Sequence, residues 1–160
     1  MIYYLIGQPG AGKTTIAKEM MTVNTKMSKA FHIDGDDIRE LFDNKDYSET
    51  GRRKNIQLAQ QIAQYLNSKG ETVIVSLVSP YKDQRDIFKE KMGDDILEVY
   101  VHTNEIRGKE SFFVENYEKP TDDYFYMCTD NINVSVCAKV IIGHKDLLTH
   151  HKTIDGKDSH

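Results

Sequence analysis

Apolar residues in this chain come in short blocks separated by polar stretches of helical character. Ile2-Tyr3-Tyr4-Leu5-Ile6 is an unbroken aromatic and β-branched run, the pattern of a strand covered on both faces. Ala30–Ile33, Thr72–Val78, Ile96–Val101 and Tyr124–Cys128 read as further strands. Between them, Ile16, Ala17, Met20 and Met21 recur at helical spacing. So do Ile56, Leu58, Ala59, Ile62, Ala63, Tyr65 and Leu66, stopping before Gly70 as a natural C-cap. A polar helix is expected over Lys82–Met92, closed by Gly93, and a last helix over Val134, Val136, Ala138, Val140 and Ile141, ending near Gly143. Strands alternating with helices predict a three-layer α/β domain with a mainly parallel, five-stranded sheet. Residues 104–122 break the alternation. They are charged, lack a period and carry Arg107, Lys109, Phe112, Phe113 and Tyr117, as a short functional lid after the fourth strand would. One domain is expected over residues 1–150, followed by a polar, mobile tail over 151–160.

The junction of the first strand and first helix carries the chemistry. Gly7-Gln8-Pro9-Gly10-Ala11-Gly12-Lys13-Thr14 fits G-x-x-x-x-G-K-S/T at each fixed position, and strand, glycine loop and helix follow in the order the motif needs. The glycines allow the backbone to turn its amides around a phosphate, and the helix N-terminus points its dipole at the same anion. Gly7 to Thr15 therefore form the predicted ATP-binding loop of a P-loop NTPase-type domain. Lys13 would reach the β- and γ-phosphates, and the Thr14 hydroxyl would ligate Mg²⁺, with Asp34 or Asp36 joining through water. Those aspartates lie in Asp34-Gly35-Asp36-Asp37-Ile38-Arg39, beyond the carboxyl end of the second strand, where open parallel sheets bind ligands.

Composition removes several classes. The net charge of −4 leaves no global footprint for duplex nucleic acid, and no apolar run approaches the roughly 20 residues of a membrane span. The start leads straight into the first strand without a basic leader, so a cytoplasmic protein is expected. Cys128 and Cys137, the only cysteines, read as buried thiols, and Tyr3, Tyr4, Tyr100 and Tyr124 as core or strand packing. His150-His151 reads as part of the frayed tail. No N-K-x-D guanine reader is present, and the third strand ends Ser-Leu-Val-Ser-Pro rather than in the Asp-Glu of a motor ATPase. A small phosphotransferase remains.

Four blocks resemble the adenylylsulfate kinase (APS kinase) family: GQPGAGKTT at 7–15, DGDDIR at 34–39, RRKNI at 52–56 and SLVSPYKDQRD at 76–86. The resemblance implies that Asp34 and Asp36 serve the acceptor hydroxyl and the hydrated Mg²⁺, one of them as general base or orienting group. It implies that Arg39, Arg52 and Asn55 hold the acceptor nucleotide, and that Ser79, Pro80 and Tyr81 line its cleft. Guanidinium forks suit phosphate, and a carboxylate near the transferred hydroxyl suits phosphoryl transfer. Plainer roles exist: Asp36 or Asp37 as a helix cap, Arg52 and Arg53 as a solvated helix start, Arg85 paired with a carboxylate of its own helix.

The chain departs from the family at Asp37, where an asparagine is usual, and at Lys54, where a glutamate is usual. The family's Lys-Gly-Leu-Tyr lid block is missing. Tyr117-Glu118-Lys119-Pro120 matches the end of that lid, Phe112 or Phe113 matches its nucleobase-stacking phenylalanine, and Lys109 or Arg107 is left to supply positive charge over the phosphates. The expectation is an ATP-dependent kinase acting on the 3′-hydroxyl of adenylylsulfate or a related nucleotide, a small-molecule acceptor. Its rivals are a kinase for another acceptor, such as a 5′-hydroxyl nucleic-acid end, and a non-catalytic nucleotide-binding regulator. The family often forms dimers, which leaves a homodimer open.

Overall fold

The computed structural model describes the backbone of residues 1–155 and the side chains of residues 1–148. Five strands, β1 (Ile2–Ile6), β2 (Phe31–Asp34), β3 (Val73–Leu77), β4 (Ile96–His102) and β5 (Phe125–Cys128), form one sheet in the order β2-β3-β1-β4-β5. Every neighbouring pair is parallel, with Tyr3 opposite Ile74 on one side and Leu97 on the other. A parallel sheet needs cover on both faces. The helices α1 (Lys13–Met20), α2 (Gly35–Leu41), α3 (Glu49–Ser68), α4 (Lys82–Met92) and α5 (Val134–Asp155) supply it.

Alternation along β1 divides the core. Tyr3 and Leu5 pack with Ile16, Ala17 and Met20 of α1 and with Cys137, Ala138 and Ile141 of α5. Ile2, Tyr4 and Ile6 face the other way, onto Ile56, Ala59 and Ala63 of α3 and Phe88 of α4. The connection leaving β1 runs toward β2, whereas the one leaving β3 runs toward β4. That reversal opens a crevice at the carboxyl ends of β1 and β3.

Several sequence expectations need correction. α5 runs through Gly143 to Asp155 instead of ending near Gly143. A helical glycine costs about 1 kcal/mol, but Ile141 and Ile142 are buried just before it and the His144 ring lies 4.4 Å from that of Phe125 just after. Residues 151–155 of the expected tail thus continue the helix, while residues 156–160 and the side chains of His150 and His151 lie outside those described. Tyr124 is exposed and Cys128 is only half-buried. Asp34, not Asp36 or Asp37, caps α2, its carboxylate accepting from the Asp36 amide.

The largest departure is Arg85. It is wholly buried, and its partner is not on its own helix. Its guanidinium lies 3.5 Å from the buried Glu98 carboxylate on β4 and donates to the carbonyls of Ser79 at 2.6 Å and Glu118 at 2.5 Å. Lys89 adds a second cation 3.4 Å from Glu98, whose pKa burial nevertheless pushes up. Ser79 needs the help. It sits at φ 44, a left-handed backbone that costs a non-glycine residue of order 1–3 kcal/mol. The Tyr4 hydroxyl, 3.0 Å from its Oγ, is its other anchor.

Removing one member of a buried ion pair leaves the other uncompensated. Arg85→Ala should therefore destabilise the protein by about 3–5 kcal/mol, read as the urea midpoint at unchanged slope. Arg85→Met combined with Glu98→Leu should recover most of that loss. A single variant within about 1 kcal/mol of the parent would refute the assignment.

Candidate active site

β1 ends at Ile6, and the chain turns at once around a backbone only glycine can follow. A Cβ on Gly7 (φ 147) would meet the Val101 carbonyl oxygen at 2.2 Å. A Cβ on Gly10 (φ 83) would meet the Lys109 side chain at 3.0 Å, because the 104–122 segment passes directly over the loop. Gly12 (φ 106) leads into α1. Lys13 folds back to donate to the Gln8 carbonyl at 2.8 Å. Burial pushes its ammonium down to about 8, against the upward pull of Asp34 and Asp36.

The P-loop opens into a cleft of about 690 Å³ at the sheet's carboxyl end. Pro9, Gly10, Lys13 and Thr14 line one side of it, and Asp34, Asp36, Arg39, Arg52 and Asn55 the other. Ser79 and Pro80 form the floor, and Lys109, Phe112 and Phe113 reach in from the lid. Sequence-distant blocks predicted to act together are thus brought to one cavity.

The two sides meet at Asp34. Its Oδ2 accepts hydrogen bonds from the Thr14 hydroxyl at 2.6 Å and the Ser76 hydroxyl at 3.1 Å, and its Oδ1 accepts from the Asp36 amide at 3.0 Å. Burial raises the Asp34 pKa, but these bonds outweigh it and hold the carboxyl below the usual range. Asp34 is therefore ionised and immobile, whereas Asp36 is exposed at the cleft wall.

Other predicted residues divide by what they already hold. Arg39 donates to the carbonyls of Asn44 and Asp46, and its guanidinium lies 4.0 Å over the Tyr47 ring. Its Nη1 thereby braces the turn that carries Tyr47 to the cleft wall, where Arg52 also stands. Asn55 is buried; its amide nitrogen donates to the Gly35 carbonyl, while its Oδ1 has no protein partner. Tyr81 does not line the cleft: its ring lies under the Arg53 guanidinium at 4.2 Å. Gly7, Ala11, Gly12 and Thr15 also stand behind or beside the lining.

The lid resolves the choice between its two cations. Arg107 donates to the carbonyls of Gly10, Ala11 and Thr129 and pairs with Glu105 at 3.0 Å, so it braces the P-loop from outside. Lys109 is the one that enters the cleft. Gln8 fastens lid to loop: its amide donates to the Val114 carbonyl and accepts from the Val114 amide, both at 2.9 Å. Farther along, the Tyr117 hydroxyl donates to the Val78 carbonyl at 2.6 Å and the Glu118 amide to that of Pro80 at 3.0 Å. Sequence reasoning missed Tyr47 and the lid role of Gln8. No local pattern marks either, because both depend on chain segments brought together by the fold.

A family model described as adenylylsulphate kinase matches residues 1–121. The chain is 36% identical over 105 residues to the adenylyl-sulfate kinase of Pseudomonas aeruginosa, covering 64% of this chain and 54% of that protein. It is 37% identical over 101 residues to the probable adenylyl-sulfate kinase of Pyrococcus abyssi, covering 62% and 58%. The chain spans about half the length of the curated relatives it matches. Among solved structures, the fold is similar to the APS kinase of Mycobacterium tuberculosis in complex with AMPPNP and APS. The TM-score is 0.76 at 21% identity, covering 92% of this chain and 96% of that one. It is also similar to a gluconokinase of Sinorhizobium meliloti, with a TM-score of 0.65 at 16% identity, covering 99% and 97%.

The Gln8–Val114 pair makes a specific demand. Gln8→Leu keeps the side-chain bulk and removes both bonds, so the Val114 amide should exchange with solvent roughly ten- to a hundredfold faster. Hydrogen exchange of residues 110–118 reads this directly. Unchanged protection there would mean that the lid is held elsewhere.

Proposed function

The chain belongs to the adenylylsulphate kinase family, and from that premise we propose that it transfers the γ-phosphate of ATP to the 3′-hydroxyl of adenylylsulfate or a closely related nucleotide. One observation carries the reading: a P-loop and a carboxylate-rich acceptor wall share a single cleft and touch through the Thr14–Asp34 hydrogen bond. A phosphate donor on one side and a hydroxyl on the other would stand in line across that junction.

The free groups define the roles. Lys13 binds the donor's β- and γ-phosphates. Arg52, with its guanidinium open, takes the acceptor's anionic end, and the unpartnered Asn55 Oδ1 accepts from an acceptor hydroxyl or amine. Asp34 is held by Thr14, Ser76 and the Asp36 amide; Asp36 is the carboxylate at liberty to orient the attacking hydroxyl and receive its proton. Tyr47 and Phe113 offer aromatic faces to a nucleobase. Lys109 covers the phosphates, and the lid fastened by Gln8 excludes water.

An Mg²⁺ ion suits this donor set, which consists of hard oxygens: the Thr14 hydroxyl, with Asp34 reaching through water. When bound, it neutralises charge on the β- and γ-phosphates. The reading also places a single kinase domain, including α5, in the cytoplasm. Among the described residues no helix is long and apolar enough to cross a membrane.

A second reading, a kinase for a different acceptor, is favoured by the lid. Lys109, Phe112, Phe113 and their neighbours Ser111 and Val114 are all that the lid contributes to the cleft. ATP consumption measured with adenylylsulfate, other nucleotides, sugar acids and 5′-hydroxyl oligonucleotides separates the readings. Turnover with adenylylsulfate is expected, and Asp36→Asn should lower kcat by roughly 10²–10⁴-fold. Turnover with another acceptor alone would move the assignment to the second reading. ATP binding without turnover on any acceptor would leave a regulator.

A further inference from the structure

Beside Asp34 stands a residue that no motif singles out. His32, two positions earlier on β2, places Nε2 2.7 Å from Ser76 Oγ and 3.9 Å from Asp34 Oδ2. The imidazole and the carboxylate are both mostly buried, with side chains 13% and 16% exposed. β2 and β3 are parallel neighbours with Asp34 opposite Ser76, so one pairing register brings all three side chains together.

Counting protons fixes the direction of the chain. A serine hydroxyl has one proton to donate. Asp34 Oδ2 is an ionised acceptor, and Ser76 Oγ lies 3.1 Å from it. If Ser76 gave its proton to His32 instead, two bare oxygen lone pairs would face each other across 3.1 Å in a half-buried site, and Asp34 would lose one of its hydroxyl donors. The arrangement that satisfies every group has His32 Nε2–H donating to Ser76 Oγ, and Ser76 Oγ–H donating to Asp34 Oδ2. The same direction holds for the charged ring and for the neutral ring in its Nε2–H tautomer.

We propose that His32 is a positioning residue for phosphoryl transfer: by donating from Nε2 to Ser76 it commits the serine proton to Asp34 and fixes that carboxylate against Thr14. The inference rests on the kinase reading above. Its consequence lies in the transition state, because a carboxylate free to rotate would leave Thr14 and disturb the alignment of the phosphate side of the cleft while Lys13, Arg52 and Asn55 keep their places.

Two measurements test it, and the first needs no substrate. Histidine ring ¹⁵N spectra of the free protein, with the His32 signal assigned by its absence in His32→Gln, should show the neutral ring protonated on Nε2. A neutral ring protonated on Nδ1 with bare Nε2 would overturn the proposal, whatever the enzyme turns over. The second compares His32→Leu, which cannot donate, with His32→Gln, whose amide can. Leu should lower kcat by roughly ten- to a hundredfold with KM for ATP and acceptor within about twofold. Gln should recover most of that loss. A Leu variant with parental kcat, a Gln variant as slow as Leu, or a loss confined to KM would each overturn it. A parent protein that turns over no acceptor defeats the kinase reading instead, and the ring spectrum still decides the hydrogen-bond direction.

Discussion

One buried guanidinium holds the functional end of this molecule together. Arg85 reaches from α4 to the carboxylate of Glu98 on β4, the carbonyl of Ser79 after β3 and the carbonyl of Glu118 at the end of the lid. A planar group with several fixed donors can join three segments at once, which a lysine ammonium on its flexible stem does less well. The desolvation of such a pair is expensive, so its value is less in net stability than in specifying one arrangement of strand end, floor and lid. Ser79 keeps its left-handed backbone because these contacts over-determine it.

From that anchor the cleft follows. Ser79 and Pro80 line it, and the Tyr117–Glu118 stretch docks against Val78 and Pro80, so the end of the lid is tied down rather than a loose cover. The start of the lid is tied differently, by Arg107 to the outer carbonyls of the P-loop and by Gln8 to Val114. Of the lid, Lys109, Ser111, Phe112, Phe113 and Val114 line the cavity. The lid is thereby fastened both to the P-loop and to the segment after β3.

The charged residues of the site sort by the same accounting. Arg107 looks equivalent to Lys109 in composition, yet its donors are already used on backbone carbonyls and Glu105, and Arg39 spends Nη1 on the carbonyls of Asn44 and Asp46. Arg52 and Lys109 line the cleft. Asp34 and Asp36 divide likewise: one is saturated with hydrogen bonds, the other stands open at the wall.

Local signals were enough for much of this protein. The apolar run of β1, the glycine loop and the helix after it are short-range patterns, and each strand appears within a residue or two of where its run predicts it. The P-loop and the aspartates after β2 were readable because a phosphate cradle demands fixed residue types at fixed spacing. Tertiary structure decided what spacing cannot encode. Arg85 looked like a helix-surface cation because nothing in its neighbourhood reveals Glu98, whereas Tyr81 looked like cleft lining although its ring turns under Arg53. Gly143 looked like a helix end because the burial of Ile141 and Ile142 and the ring of Phe125 that carry α5 past it are not visible in the glycine itself. His32 and Ser76 are 44 residues apart, and only the parallel register of β2 on β3 makes them partners of Asp34. The P-loop was written in the chain because it is local; the opposite wall of the cleft had to be assembled, because its groups come from separate segments and their availability depends on which hydrogen bonds the fold has already spent.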